Sequence, residues 1–266
     1  MVRSRRRWVL LAAAVFFCPG AAPHPAKVIA HLDLSKPFRL PPGALFTATQ
    51  GPDVEDPVYG PDNMVPGSIH LCVRAPAEAT CAPNLDDSLV IDGKPDEFSE
   101  IHYLENYDIV YPKGRGAPPL LHLQMASFHA GNGSQNRTAL ILAYRSSARR
   151  FEQIFKEQGG GNNNQETRYI AAGPLKGAII TVFATHNAPY GYWVTVHRLT
   201  SDYRYRQVLR YRSATLYGDG NSLAVIDSEM PNILRRLGLW RAGQPLPLPE
   251  APCPRPHLMK TELWCS

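Results

Sequence analysis

Four arginines stand at strand spacing in the segment DYRYRQVLRYR: Arg204, Arg206, Arg210 and Arg212. Alternate residues of an extended chain share a face, so these four fall together, interrupted only by Val208. Tyr203, Tyr205, Gln207, Leu209 and Tyr211 take the opposite face. Guanidinium groups about 7 Å apart along one strand form a ladder suited to carboxylates, sulfates or phosphates. This ladder is the leading candidate for a ligand-binding surface. The competing expectation is that acids of the first half, such as Asp96, Glu97, Glu100, Glu105 and Asp108, neutralise it.

A second set of polar residues lies just downstream, in YRSATLYGDGNSLAVIDSEMP. Asp219 and Asn221 begin a spacing that a calcium loop would continue with further oxygen ligands. The pattern instead runs into Leu223-Ala224-Val225, so a Gly-Asp-Gly turn is the simpler reading. Asp227 and Glu229 suit the start of a helix, where the dipole favours acids and Asp227 or Ser228 can cap. A hydrolase acting on envelope glycans would draw its acids from Glu166, Asp219, Asp227 and Glu229, because such chemistry needs two carboxyl groups flanking one bond. The Gly/Asn run from Gly159 to Glu166 has amides for a sugar but no neighbouring aromatic platform.

Other motifs of catalysis are missing from the sequence. There is no His-Glu-x-x-His, no Gly-x-Ser-x-Gly elbow and no Gly-x-Gly-x-x-Gly loop. His186 and His197 could meet across a hairpin, which is more often a structural than a ligating arrangement. No metal and no cofactor is expected.

The elements that must position these residues follow from composition. The 266 residues include 25 Pro and 20 Gly, set mainly between short apolar segments. FRLPPGALFTATQ, GSIHLCVRA, DSLVIDG, EIHYLENYDIVY, PLLHLQMASFH and TALILAYRS read as strands, as do ETRYIAAG, GAIITVFATH, GYWVTVHRLT and YRYRQVLRYRS. Short polar links between consecutive strands predict an antiparallel meander. SSARRFEQIFKEQGGG is balanced between helix and strand, since Ala148, Phe151, Ile154 and Phe155 sit at helical spacing. Met230, Ile233, Leu234 and Leu237 mark one face of a helix over 229–238, with Pro231 in its first turn and Gly238 past its end.

The first residues, MVRSRRRWVLLAAAVFFCPGAA, carry four arginines and then an apolar run too short to span a bilayer, the pattern of an export signal. Export by the general or the twin-arginine route is open. Without residues 1–22 the chain has 24 basic against 23 acidic residues, so the pI near 9.0 belongs mostly to the leader. That balance and the compartment argue against nucleic acid. The charge is unevenly placed: residues 23–120 hold 7 basic and 14 acidic side chains, residues 121–241 hold 15 and 7. Beyond the leader four cysteines remain, an even number that in an exported chain predicts disulfides. Three connectivities are possible, and sequence-local pairing gives Cys72–Cys81 and Cys253–Cys265.

The fold class expected is therefore mainly β, a single antiparallel meander domain, sandwich- or barrel-like, over 23–241. One short C-terminal helix and a Pro-rich, disulfide-clipped tail over 242–266 complete it. The expected function is non-catalytic: a periplasmic or extracellular module binding an anionic glycan, a lipid head group or an envelope protein, with no membrane-spanning segment. The envelope-glycan hydrolase and a periplasmic inhibitor or assembly factor are the alternatives.

Overall fold

The structure, a computed structural model, describes residues 26–56, 59–76, 78–114, 116–129, 134–159, 165–185, 191–213, 222–241, 243–244, 256–259 and 262–265; for the last two segments and for 222–224 the backbone is described. The expected leader, Asp219, Asn221 and His186 lie outside the described residues, as does the proposed Cys253–Cys265 bridge.

The chain begins with β1 (Lys27–Asp33), the one-turn helix α1 (Ser35–Phe38), β2 (Leu45–Gln50), β3 (Val54–Asp56), β4 (Gly60–Val65) and β5 (Ile69–Arg74). β1, β2 and β5 form one antiparallel sheet, and β3–β4 is a separate two-stranded pair inserted between β2 and β5. Then come β6 (Tyr103–Val110), β7 (Leu120–Ala126), β8 (Arg137–Arg145) and β9 (Arg150–Gly159), a four-stranded meander in chain order. β10 (Gln165–Tyr169), β11 (Ile179–Ala184), β12 (Tyr192–Leu199) and β13 (Tyr205–Arg212) make a second one. The helix α2 (Ser222–Arg236) follows, then the paired strands β14 (Pro256–Met259) and β15 (Glu262–Cys265). Every strand pairing is antiparallel and the sheets are open, so the barrel alternative is not adopted. Among the described residues no helix is long and apolar enough to cross a membrane.

Three apolar clusters order these sheets into layers. Phe46, Leu71 and Val73 of the first sheet meet Leu121, Leu123, Leu140, Leu142 and Phe151 of the β6–β9 sheet. The opposite face of β6–β9, with Leu120, Ile141, Ile154 and Phe155, meets Ile179 and Tyr205 of the β10–β13 sheet. The far face of β10–β13, with Ile180, Val182, Val194 and Val196, carries α2 through Val225, Ile226, Met230, Ile233 and Leu234. The β6–β9 sheet is thus apolar on both faces, which explains the continuous runs LLHL and ALILA where a half-exposed strand would alternate. Gly177 lets the turn before β11 lie on the β6–β7 connection: a Cβ there would stand 2.7 Å from that of Pro112, and its φ is +79°.

Several sequence expectations change here. The balanced segment is strand: β9 pairs with β8 along its length. Its helical spacing comes from a bulge between the Ile141 and Leu142 pairings, which turns Ile154 and Phe155 to the same face while Phe151 packs on the other. DSLVIDG is not a strand but a 3-10 turn at Asp86–Leu89, whose Ser88 and Val90 carbonyls accept hydrogen bonds from Thr138 and Gln158. β3 and β4 carry too few apolar residues to announce themselves, and the apolar residues of β1 do not alternate. The helix is α2 at Ser222–Arg236, begun well before 229, because Val225 and Ile226 add fully buried side chains to its sheet-facing side. Pro231 therefore sits inside it, and the N–H it lacks is the one that would face the Asp227 carbonyl.

The Cys72–Cys81 disulfide is present, joining β5 to the loop that follows with Cα atoms 5.0 Å apart. Closing a loop of this length removes about 2–3 kcal/mol of denatured-state entropy. Replacing both cysteines with serine is expected to lower stability by that amount in urea unfolding, and any reductant sensitivity left in the variant would belong to the expected Cys253–Cys265 pair. An unchanged urea midpoint in the double variant would contradict a stabilising role for the Cys72–Cys81 bridge.

Candidate functional site

The arginine segment becomes β13, the outer strand of its sheet, but the ladder is divided. Register runs Tyr211 opposite Val194 and Leu209 opposite Val196, then jumps so that Gln207 faces His197. Val208 is the extra residue of a β-bulge, and a bulge reverses which side chains share a face. Arg210 and Arg212 stay on the face that looks toward β6–β9, opposite Thr195 and Trp193. Arg206 pairs with Arg198 on the face that carries α2. Arg204 precedes the strand in the turn from Thr200, where its carbonyl accepts from the Thr200 N–H and hydroxyl. All four side chains are exposed, yet only Arg210 and Arg212 keep the strand spacing that a shared ligand needs.

Bulges are common on edge strands, where they discourage pairing with other chains. This one also moves Tyr205 into the layer between the two meanders, where its ring lies 5.4 Å from Phe155 and its hydroxyl donates to the Gly177 carbonyl. That packing gain is the physical reason the even alternation of the sequence is not kept.

Around Arg210 the rim of the two packed sheets gathers several functional groups. The guanidinium lies over the ring of Trp193, 4.7 Å from its centroid, and Trp193 is 39% exposed. Arg212 donates to Thr185 Oγ1 at 3.5 Å. Glu157 of β9 reaches the same rim from the facing sheet; burial raises its pKa and the nearby Arg210 charge opposes the rise. Its Oε2 lies 3.9 Å from His197 Nε2, beyond hydrogen-bonding reach. Burial lowers the pKa of His197, so its imidazole is the neutral form near pH 7. Among the described residues no acid of the first half forms an ion pair with these arginines: Glu105 pairs with Arg137, and Arg206 pairs locally with Asp202.

The acids proposed for a hydrolase meet a different arrangement. Glu166 and Arg168 project from β10 toward α2, and Arg168 donates Nε to Glu166 at 2.8 Å and Nη1 to Asp227. Glu166 is 8% exposed and Asp227 7%, so one guanidinium holds two buried carboxylates between the sheet and the helix. Desolvation pushes Glu166 up to about 7 against the attraction of Arg168, and its Oε2 is buried without a hydrogen-bond partner among the described residues. Asp227 is therefore no helix cap but the helix end of an ion-paired tie. Glu229, 1% exposed, accepts from the Tyr211 hydroxyl at 2.7 Å and from Asn232, while Arg236 covers the Tyr211 ring. Sequence reading named three of these acids but not Arg168, whose place opposite them depends on how β10 and α2 dock.

Among the described residues no three His, Cys, Asp or Glu side chains converge as a metal ion would require. Compared with known proteins, the chain matches no protein-family model, no curated protein and no solved structure.

Proposed function

We propose that the chain is an exported, non-catalytic binding module whose ligand is an anionic envelope component, engaged at the Arg210–Trp193–Arg212 rim. The observation that carries this reading is the placement of two exposed arginines, alternate residues on one face of an edge strand, beside an exposed indole. Arginine offers bidentate donors to sulfate, phosphate or carboxylate, and the neighbouring ring supplies an apolar surface for a sugar or acyl group. The Glu157 carboxyl adds a nearby negative charge from the facing sheet. The divided ladder reduces the candidate from four arginines to these two, with Arg204 and Arg206 set aside from the shared face.

The hydrolase alternative is supported by the meeting of Glu166 and Asp227, and weakened by their burial on a shared Arg168. A cleaving pair must reach a substrate, whereas this pair faces the underside of a helix.

A thermal-shift screen of the oxidised protein with sulfated glycan, lipopolysaccharide, phosphate and neutral glycan tests the proposal. An anionic ligand at ten times its Kd should stabilise by about 1.4 kcal/mol, a shift of about 3–5 °C. The shift should weaken with salt and vanish in Arg210→Glu/Arg212→Glu, while Arg204→Glu/Arg206→Glu retains it. Stabilisation that survives the 210/212 pair of substitutions sinks the rim as the site. A response to none of these ligands, with a protein partner captured in its place, favours the assembly-factor reading.

A further inference from the structure

We propose that a depression beside α1 is a second binding site, specific for an acidic sugar such as a uronic acid. It lies where β1 turns through α1 into β2, on a different sheet from the Arg210 rim, and has a volume of about 560 Å³. That size falls within the range of small-molecule sites and accommodates one or two pyranose rings. Its lining includes Asp33, Ser35, Lys36, Arg39, Leu40 and Leu45.

The chemistry of this lining is mixed in a way that selects among ligands. Lys36 and Arg39 supply two exposed cations. Asp33 is held in place as an acceptor: the Ser35 N–H donates to its Oδ1 at 2.8 Å, and the buried Ser35 Oγ is itself fixed by the Ala44 N–H at 3.3 Å. Hydrogen bonds from Ser35, and after them the Lys36 charge, lower the Asp33 pKa, so the carboxylate is ionised near pH 7. A fixed carboxylate repels a bare phosphate or sulfate but accepts from sugar hydroxyls. A neutral sugar would use Asp33 and leave both cations without a counter-charge. An acidic sugar satisfies both, with its carboxylate on Arg39 and Lys36, hydroxyls on Asp33, and its C–H face on Leu40 and Leu45.

Arg39 closes α1 in the left-handed region, φ 55° and ψ 45°, a conformation that Asp92, Arg149 and Tyr203 also adopt in this chain. Glycine takes it without strain, so the Arg39 cation can be removed without disturbing the turn.

The test separates binding from folding because glycine at 39 relieves the strain. Amide chemical-shift titrations of the full chain with glucuronate, glucose and inorganic phosphate should show glucuronate perturbing Ser35, Lys36 and Arg39. Arg39→Gly should weaken glucuronate at least tenfold with an unchanged or raised thermal midpoint. Asp33→Asn should weaken glucuronate and strengthen phosphate. Arg210→Glu should leave glucuronate binding intact, so this site and the rim stand or fall separately. The proposal is overturned if glucuronate perturbs none of these amides, if glucose or phosphate binds as tightly, or if Arg39→Gly binds like the parent. Loss in Arg210→Glu with retention in Arg39→Gly would also overturn it and move the sugar to the rim.

Discussion

Replacing Arg168 with methionine is expected to destabilise the protein by about 3–5 kcal/mol at pH 8, the usual cost of breaking a buried ion pair from one side. Methionine retains much of the stem, so the loss reports charge more than volume. Two buried carboxylates, Glu166 and Asp227, would face each other without the guanidinium that both accept from. The penalty should shrink at pH 5. Glu166 has a folded-state pKa of about 7 against an ordinary value of 4.5, so the native state takes up its proton first. Its protonation favours the fold, fully below about pH 4.5, and that contribution is lost as pH rises through 7. The span corresponds to about 3 kcal/mol. Urea unfolding of parent and variant at pH 5 and pH 8 measures both effects. Equal losses at the two pH values would show that Glu166 is not charged in the folded protein at pH 8.

His122 should impose the opposite slope. It stands on β7 in the layer between the two meanders, with Nδ1 3.1 Å from the Asn106 amide and its ring against Tyr169. Burial lowers its pKa from 6.5 to about 4, partly opposed by the Asp108 charge, and Nε2 is buried without a hydrogen-bond partner among the described residues. The unfolded chain therefore gains a proton before the native state does. Stability is unaffected above pH 6.5 and falls as pH drops from there to about 4, by about 3 kcal/mol. Between about pH 4.5 and 6.5 the two groups oppose each other, and the parent's stability should be nearly flat with respect to them. His122→Gln should unmask a rise in stability on acidification, and Glu166→Gln a fall. If both variants show the parent's profile, neither group controls the acid response.

How much of this could be read from the chain differs by residue. Short apolar segments punctuated by proline and glycine point to antiparallel β structure, and a sequence separation of 9 between Cys72 and Cys81 points to a local bridge, because both are set by neighbours in sequence. Phe151, Ile154 and Phe155 mislead because a bulge mimics helical spacing. β1 is quiet because its burial comes from α1 and β2, not from an alternating pattern of its own. The tie through Arg168 is silent for a further reason. Its partners stand 2 and 59 residues away, and only the first separation carries any local signal.

The sequence by itself determined the class of structure, the sheet-facing stripe of Met230, Ile233 and Leu234, the Cys72–Cys81 pairing and the charge division between the two halves. Each follows from periodicity, proximity or counting. Tertiary structure alone decided which arginines share a surface. An extra residue at Val208 reverses the faces of β13, because burying Tyr205 against Phe155 is worth more than unbroken alternation. It also decided that Glu166 and Asp227 meet on one guanidinium, since only the docking of α2 on β10 brings them together.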